Sequence, residues 1–179
     1  MDLTRLINKS IEGDRKSQKV LFQTYNQYLF AVSRKYAFNS YTAEEILQES
    51  WIEIFNGLKN YKDQGNFMGW LKTIVIRKAW KMNKKSDQNR SLDLEVFDMV
   101  DYSLNMAVES MTCEELLSIL NDVPSGPREV FKMYVLDGFK HEEIAEVLNM
   151  NISTSRSYLA RARKFINNRF ERNNKILSR

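Results

Sequence analysis

Basic side chains are concentrated on two segments of this 179-residue chain, where their chemistry suits binding to nucleic acid. Residues 153–179 contain eight basic side chains and one acidic one, and residues 70–90 contain seven basic side chains and one acidic one, with aromatic residues on or beside them. Lysine and arginine attract backbone phosphates, arginine can also bond a guanine edge, and aromatic rings stack on unpaired bases. The two segments therefore indicate DNA contacts, although a basic helix face that is only solvated gives the same pattern.

Residue types that support metal, nucleophilic or nucleotide chemistry are scarce. The chain has one cysteine, Cys113, and one histidine, His141, whereas a structural zinc site needs three or four ligands. The six glycines are scattered singly, so the chain has no glycine-rich phosphate loop. We therefore expect no metal, no cofactor and no enzymatic activity.

The sequence also bears on location. Cys113 cannot form an internal disulfide, and residues 1–10 lack the apolar core of a signal peptide. No uncharged apolar run approaches the ~20 residues that a membrane-spanning helix needs. We expect a cytoplasmic protein without membrane insertion.

Helices must position the basic residues, because apolar residues recur at three- and four-residue steps. Both prolines lie at 124 and 127, so the rest of the chain has no proline to break a helix. Thr42 and Glu45 match a capping box, and Asn66 matches an N-cap. The pattern predicts helices over 3–12, 15–37, 42–57, 67–85, 113–120, 128–136, 142–148 and 153–170.

Residues 141–163 have the spacing of a helix-turn-helix. Asn149 stands in the turn where glycine is usual, and asparagine tolerates the left-handed conformation. Ser155 stands where a branched apolar residue normally anchors the second helix. The residues predicted to pack the two helices together are Ile144, Ala145, Val147, Leu148, Leu159 and Ala162.

Acidic residues are concentrated between the two basic segments. Residues 86–110 contain six acidic side chains and one basic side chain, Arg90, which predicts an extended or partly ordered linker. The modest net charge of +4 is therefore a cancellation between basic and acidic segments.

Four motifs, in this order and spacing, resemble the extracytoplasmic-function branch of the bacterial sigma-70 family. Residues 43–51 read AEEILQESW and residues 67–75 read FMGWLKTIV, which resemble motifs of its region 2. Residues 124–131 read PSGPREVF and residues 138–145 read GFKHEEIA, which resemble the entry and helix-turn-helix of its region 4. The resemblance implies an all-α fold of two small helical domains, region 2 over 1–86 and region 4 over 113–179, joined by an acidic linker over 87–112.

The resemblance implies two roles for the first domain. The polar face of the third predicted helix would bind core RNA polymerase through Glu45, Gln48, Glu49 and Trp51. The following loop and helix would bind and melt the minus-ten element of the promoter through Tyr61, Phe67, Arg77, Lys78, Trp80 and Lys81. Phe67 lies on the apolar side of its helix, so core packing is its alternative role. Arg77 and Lys81 replace the usual asparagine and aspartate, so the base preference is not inherited.

In the second domain, the recognition helix would bind the minus-thirty-five element through Thr154, Arg156, Ser157, Tyr158, Arg161, Arg163 and Lys164. Arg156 is the best candidate for a base contact, because a guanidinium can bond guanine through two hydrogen bonds. The linker would thread the nucleic-acid channel of the polymerase, and a simple solubilising tether is the alternative.

The resulting hypothesis is a sigma factor that directs promoter recognition, DNA melting and transcription initiation without being an enzyme. Its partners would be core RNA polymerase and promoter DNA, and an anti-sigma factor is a further partner that the resemblance allows. The alternative is a helix-turn-helix transcriptional regulator with a helical partner-binding domain.

Overall fold

Helix is the only regular secondary structure among residues 2–62, 66–87 and 113–177, which are the residues that the computed structural model describes. The chain divides into two units, Met1–Met82 and Asn83–Arg179. The prediction of an all-α fold is confirmed, whereas the predicted acidic linker lies almost wholly outside the described residues. In the described part of the chain, no helix combines the length and the apolar character needed to cross a membrane.

The first unit begins with two helices that are each capped by an aspartate. Helix α1 (Leu3–Ile11) follows Asp2, whose side chain accepts a hydrogen bond from the Thr4 amide. Helix α2 (Arg15–Tyr36) follows Asp14, whose carboxylate accepts from the Ser17 amide at 3.0 Å and the Ser17 hydroxyl at 2.6 Å. These bonds lower the pKa of Asp14, because they stabilise its charged form. Both caps satisfy amides that have no partner within their helix.

Helix α3 (Ser40–Gly57) begins two residues earlier than the predicted capping box at Thr42. The cap is Asn39, whose Oδ1 accepts from the Thr42 amide at 2.8 Å and the Thr42 hydroxyl at 3.0 Å. The predicted role of Thr42 as the cap is therefore wrong, because Asn39 takes the amide-accepting role and leaves Thr42 within the first turn. A 3₁₀ turn, Leu58–Asn60, continues from α3.

Helix α4 (Phe67–Asp87) begins where the sequence predicts. The Asn66 side chain accepts a hydrogen bond from the Gly69 amide at 2.8 Å, which confirms Asn66 as its N-cap. Most apolar residues of α4 are buried and join the core of the first unit. The residues of this core that are at most 1% exposed include Leu21, Leu29, Tyr36, Ile46, Ile54, Leu58, Leu71, Val75 and Ile76.

Small polar residues also lie in this core without leaving their hydroxyls unsatisfied. Ser10, Ser33 and Ser50 are at most 3% exposed, and each hydroxyl donates to the carbonyl four residues earlier in its own helix. A hydroxyl bonded in this way needs no partner from another helix. By contrast, the three- and four-residue spacing of Leu3, Leu6, Ile7 and Ile11 predicts one buried side of α1, but Ile11 is 45% exposed.

The second unit contains four described α-helices, and a π-helical turn follows the second of them. They are α5 (Cys113–Asp122), α6 (Ser125–Phe131), α7 (His141–Leu148) and α8 (Ile152–Leu177). Helix α6 begins three residues earlier than predicted, with Pro127 in its first turn, where a missing amide hydrogen costs nothing. It continues into a π-helical turn over Lys132–Leu136, whose end is marked by the Asp137 amide donating to the Lys132 carbonyl. Helix α8 extends seven residues beyond its predicted end.

The turn between α7 and α8 has the conformation that its sequence predicts. Asn149 adopts the left-handed conformation, with φ of 50°, and its amide contacts the last carbonyls of α7. All six residues predicted to pack the two helices together are at most 8% exposed, and Ala162 and Ile144 are fully buried. The helix-turn-helix prediction is confirmed.

Candidate nucleic-acid and partner interfaces

The polar residues of α3 form one candidate interface, which we call the acidic face: Glu45, Gln48, Glu49 and Glu53. Gln48 and Glu49 are exposed, and Glu45 and Glu53 are half-buried. Three of the four carry a carboxylate at steps of four residues, so their charges lie along one side of the helix. A face of this kind suits a basic partner.

Trp51, the fourth residue predicted at this interface, lies beneath the surface. It is 5% exposed, and its indole N–H donates to Asn26 Oδ1 at 3.0 Å. Its ring stacks on Phe55 with centroids 5.3 Å apart and contacts Phe22 at 5.0 Å. Trp51 therefore packs beneath the predicted interface and supports Phe22 and Phe55. Phe22 itself is 42% exposed.

Phe22 and Ile52 are exposed apolar residues that the sequence reasoning did not select. Ile52 is 59% exposed, next to the buried Trp51 in α3. Ile52 could have been found from the sequence, because it lies one turn after Gln48 and Glu49 on the polar side of α3. Phe22 keeps three- and seven-residue steps to Tyr25 and Leu29, so its exposure could not be predicted from spacing. Such residues extend a polar docking surface with apolar area.

Lys78 of α4 is paired with the acidic face. Its Nζ lies 3.1 Å from Glu53 Oε2 and 3.5 Å from Glu49 Oε2, and its side chain is 19% exposed. Two residues predicted for different partners, Glu49 and Lys78, are therefore brought together by the fold. Sequence spacing gives no sign of this pair, because its members lie on different helices.

Aromatic side chains gather where the chain enters α4. The Tyr61 ring lies edge-on to Phe67 at 5.1 Å between centroids, and it contacts Trp70 at 5.2 Å. Phe67 is 4% exposed and also packs against Tyr25 and Trp70. As it stands, Phe67 is a core residue and presents no face to a base, whereas Tyr61 and Trp70 keep partial exposure.

The other residues predicted on α4 lie farther along the helix. Arg77 and Trp80 are half-buried, and Lys81 is exposed, followed by the exposed Lys84 and Lys85. The exposed charge is thus greatest toward the end of the helix. This part of α4 can attract an anionic polymer such as a DNA backbone.

His141 fastens the start of α7 to the recognition helix, α8. Its Nδ1 is hydrogen-bonded to Ser155 Oγ at 2.9 Å, and its ring stacks on Tyr134 at 4.6 Å. Ser155 is fully buried. A hydrogen bond therefore anchors α8 at the position where a branched apolar residue is usual.

The pKa of His141 is lowered, first because burial disfavours its charged form and then because Arg156 and Arg163 repel that charge. Glu142 acts in the opposite direction. The environment thus favours the neutral imidazole that makes the bond to Ser155.

The predicted DNA-binding residues of α8 differ in exposure. Arg156 and Lys164 are exposed, whereas Thr154, Ser157, Tyr158, Arg161 and Arg163 are half-buried. The Tyr158 ring packs on Gly126, because a Cβ at Gly126 would lie 2.6 Å from Tyr158 Cε2. The Arg161 guanidinium lies 5.9 Å from the centre of the Tyr158 ring. Tyr158 therefore supports α8 against α6, and Arg156 is the side chain best placed for a ligand.

Among the described side chains, no group of three or more histidine, cysteine, aspartate or glutamate residues could hold a metal ion.

Comparison with known proteins gives two matches to family models. Residues 21–88 match Sigma-70 region 2, and residues 113–166 match Sigma-70, region 4. The order along the chain is that of the two units described above.

Curated relatives match along nearly the whole chain. The chain is 23% identical to an ECF RNA polymerase sigma-E factor of Haemophilus influenzae over 93% of this chain and 94% of the relative. It is 26% identical to an ECF RNA polymerase sigma-E factor of Salmonella typhimurium over 93% of both chains.

Among solved structures, a similar fold is that of the sigma factor RpoE from Bartonella quintana, in complex with the anti-sigma factor NepR. The TM-score is 0.56 and the identity 19%, over 83% of this chain and 92% of that chain.

Proposed function

The chain belongs to the extracytoplasmic-function branch of the sigma-70 family, and from this premise we propose that it binds core RNA polymerase and directs promoter recognition, DNA melting and transcription initiation. The observation that carries the proposal is the match to both family regions, in order, on two helical units. The protein would supply specificity, and the core enzyme, in the cytoplasm, would make the RNA.

In this proposal the acidic face of α3 docks on core polymerase. Exposure of Gln48 and Glu49 supports this role, as do the exposed apolar side chains of Phe22 and Ile52 nearby in the same unit. Trp51 contributes from beneath by holding Phe22 and Phe55 in place. The contact would combine a charged rim with apolar area, as is typical of protein interfaces.

The minus-ten element would be held by the start and the basic side of α4. Tyr61 offers a partly exposed ring for stacking, and Arg77, Trp80 and Lys81 follow along the helix. Phe67 would act by packing Tyr61 and Trp70 rather than by touching a base, because its own ring is buried.

The minus-thirty-five element would be read by α8 in the major groove. Arg156 is exposed near its start, which is where recognition helices contact base edges. Lys164 and the half-buried arginines would bind phosphates. Thr154 and Ser157 are half-buried polar residues near the start of α8 and would contact the DNA beside Arg156.

An anti-sigma factor is a further partner in this proposal. The structural relative from Bartonella quintana is described in complex with the anti-sigma factor NepR. A partner that bound this chain on the acidic face of α3 would compete with core polymerase for that face.

Reconstituted transcription tests the proposed function. Purified protein, core RNA polymerase and genomic DNA fragments are combined, and the 5′ ends of the transcripts are sequenced. We expect transcripts that start downstream of one shared two-part sequence and that are absent from reactions with core polymerase alone. Transcript patterns that do not depend on the added protein would refute the proposal.

Gln48→Ala combined with Glu49→Ala tests the docking face. We expect weaker binding to core polymerase with an unchanged helical fold, because both side chains are exposed and their loss leaves no core cavity. Co-purification with core polymerase and circular dichroism measure the two effects. Glu12→Ala is the control, since it removes one exposed carboxylate outside α3. Equal core binding by all three proteins would argue against this face.

A further inference from the structure

Lys78 occupies a different environment from Lys81 of the same helix. Its ammonium lies between Glu53 Oε2 at 3.1 Å and Glu49 Oε2 at 3.5 Å, so two carboxylates of α3 share one cation. The Lys78 side chain is 19% exposed, whereas Lys81, one turn farther along α4, is exposed.

The Lys78 ammonium offsets the repulsion between the two carboxylates. Glu49 and Glu53 are four residues apart on one helix, where like charges repel each other. A lysine between them converts the repulsion into two favourable contacts and restricts the orientations of both side chains. The exposed fractions, 56% for Glu49 and 40% for Glu53, show that both remain accessible on their outer side.

The same geometry disfavours a DNA phosphate at Lys78. A phosphate within hydrogen-bonding distance of this ammonium would lie beside two carboxylates, and like charges at such distances repel. An ammonium has three N–H donors, and two of them already have acceptors within 3.5 Å.

We propose that Lys78 is a positioning residue for the polymerase-binding surface: it holds Glu49 and Glu53 in the orientation that core polymerase recognises, and it does not bind promoter phosphates. This inference rests on the proposed function. It links the helix that binds the polymerase with the helix that binds the promoter inside one unit.

Three full-length variants test the proposal: Lys78→Met, Lys78→Arg and the matched control Lys81→Met. Two quantities are measured, the affinity for core polymerase and the salt dependence of holoenzyme binding to a minus-ten DNA with a melted strand. Removing a phosphate contact lowers the slope of log affinity against log salt by about 0.7 to 0.9.

We expect Lys78→Met to weaken core binding roughly two- to fivefold, the range of a partly exposed ion pair, and to leave the salt slope unchanged. Lys78→Arg should restore core binding, because arginine keeps the cation between the carboxylates. Lys81→Met should leave core binding unchanged and lower the salt slope.

Glu53→Gln is added so that a loss of core binding caused by the missing ion pair can be distinguished from one caused by misfolding of Lys78→Met. It removes one carboxylate, so combining it with Lys78→Met should cost less core affinity than the sum of the single changes. Additive losses would overturn the proposal. So would a Lys78→Met protein with normal core affinity, whatever its salt slope.

The wild-type protein separates the two possible failures. If it does not bind core polymerase, the proposed function itself is wrong. If it binds and initiates normally while Lys78→Met also binds normally, only the role of Lys78 is wrong.

Discussion

At the scale of single residues, Arg156 stands apart from its neighbours on the recognition helix. The Tyr158 ring is packed on Gly126, and the half-buried Arg161 lies 5.9 Å from the centre of that ring. Arg156 is exposed and one residue from the buried anchor Ser155. An anchored backbone with an exposed guanidinium is the arrangement that base reading requires.

Arg156→Ala should cost about 1–3 kcal/mol of discrimination at one position of the minus-thirty-five element. The reason is that a guanidinium bonded to a guanine distinguishes it from other bases. Binding of holoenzyme to a panel of single-base promoter variants measures the effect. Lys164→Ala is the control, since loss of a phosphate contact weakens all sequences equally. Equal weakening on every variant by Arg156→Ala would reassign it to phosphate binding.

His141 makes stability depend on pH. Its pKa in the fold is below the ordinary value of 6.5, so the folded state resists protonation that the unfolded state accepts. As pH falls below about 6.5, the unfolded state therefore binds more protons and the free energy of unfolding decreases. The stabilising contribution is fully present above that pH and is lost as pH falls through the folded pKa.

Urea unfolding of the wild type and of His141→Gln above and below pH 6.5 measures this contribution. We expect the wild type to lose more stability than the variant on acidification, because only the wild type carries a partly buried imidazole whose protonation Arg156 and Arg163 disfavour. Parallel losses in the two proteins would show that other groups set the pH dependence.

At the scale of elements, the start of α3 illustrates what the sequence leaves undecided. Asn39, Ser40 and Thr42 are all residue types that cap helices, and Thr42 has the glutamate that completes a capping box. The structure uses Asn39, whose amide oxygen reaches both Thr42 donors. The sequence pattern predicted the helix and its faces, but it could not decide which of these three neighbouring residues is the N-cap.

Asn39→Ala should lower the free energy of unfolding by about 1 kcal/mol, the usual cost of removing a cap. Glu45→Ala is the matched control, because the rejected capping box would need a side-chain oxygen at position 45 whereas the observed cap does not. Chemical denaturation of both variants measures the difference. A larger loss from Glu45→Ala than from Asn39→Ala would favour the box.

Contacts between elements were the least predictable part of the candidate sites. The helix-turn-helix could be predicted because its packing residues lie close together in sequence, from Ile144 to Ala162. The pairing of Lys78 with Glu53 and the bond of Trp51 to Asn26 join residues on different helices at spacings that no local pattern records. Phe67 was assigned two roles from sequence, and only its burial decides between them.

At the scale of the whole molecule, the distribution of charge explains how a chain with a net charge of only +4 can bind an anionic ligand such as DNA. Exposed lysines end α4 in one part of the chain, and basic residues dominate α8 in the other. If the two basic segments bind separate promoter elements, α8 can determine the affinity of the closed complex while α4 determines the rate of promoter opening.

Trp80→Ala tests this division of labour. We expect slower promoter opening with little change in closed-complex affinity, because a half-buried ring on α4 gains exposed base partners only when strands separate. Stopped-flow fluorescence of labelled promoter DNA and equilibrium binding measure the two steps. The control is Lys164→Ala, which should weaken closed binding instead. Unchanged opening kinetics in Trp80→Ala would contradict the assignment.

The close packing of Tyr158 on Gly126 has an evolutionary consequence. Any side chain at position 126 would place its Cβ within 3.2 Å of three ring atoms of Tyr158. The two positions should therefore change together: a side chain at 126 requires a smaller residue at 158 or a displaced Tyr158 ring. Among orthologues of this protein, glycine at 126 should accompany an aromatic residue at 158. Where an aromatic residue is kept at 158 but Gly126 is replaced, α8 should be displaced relative to α6.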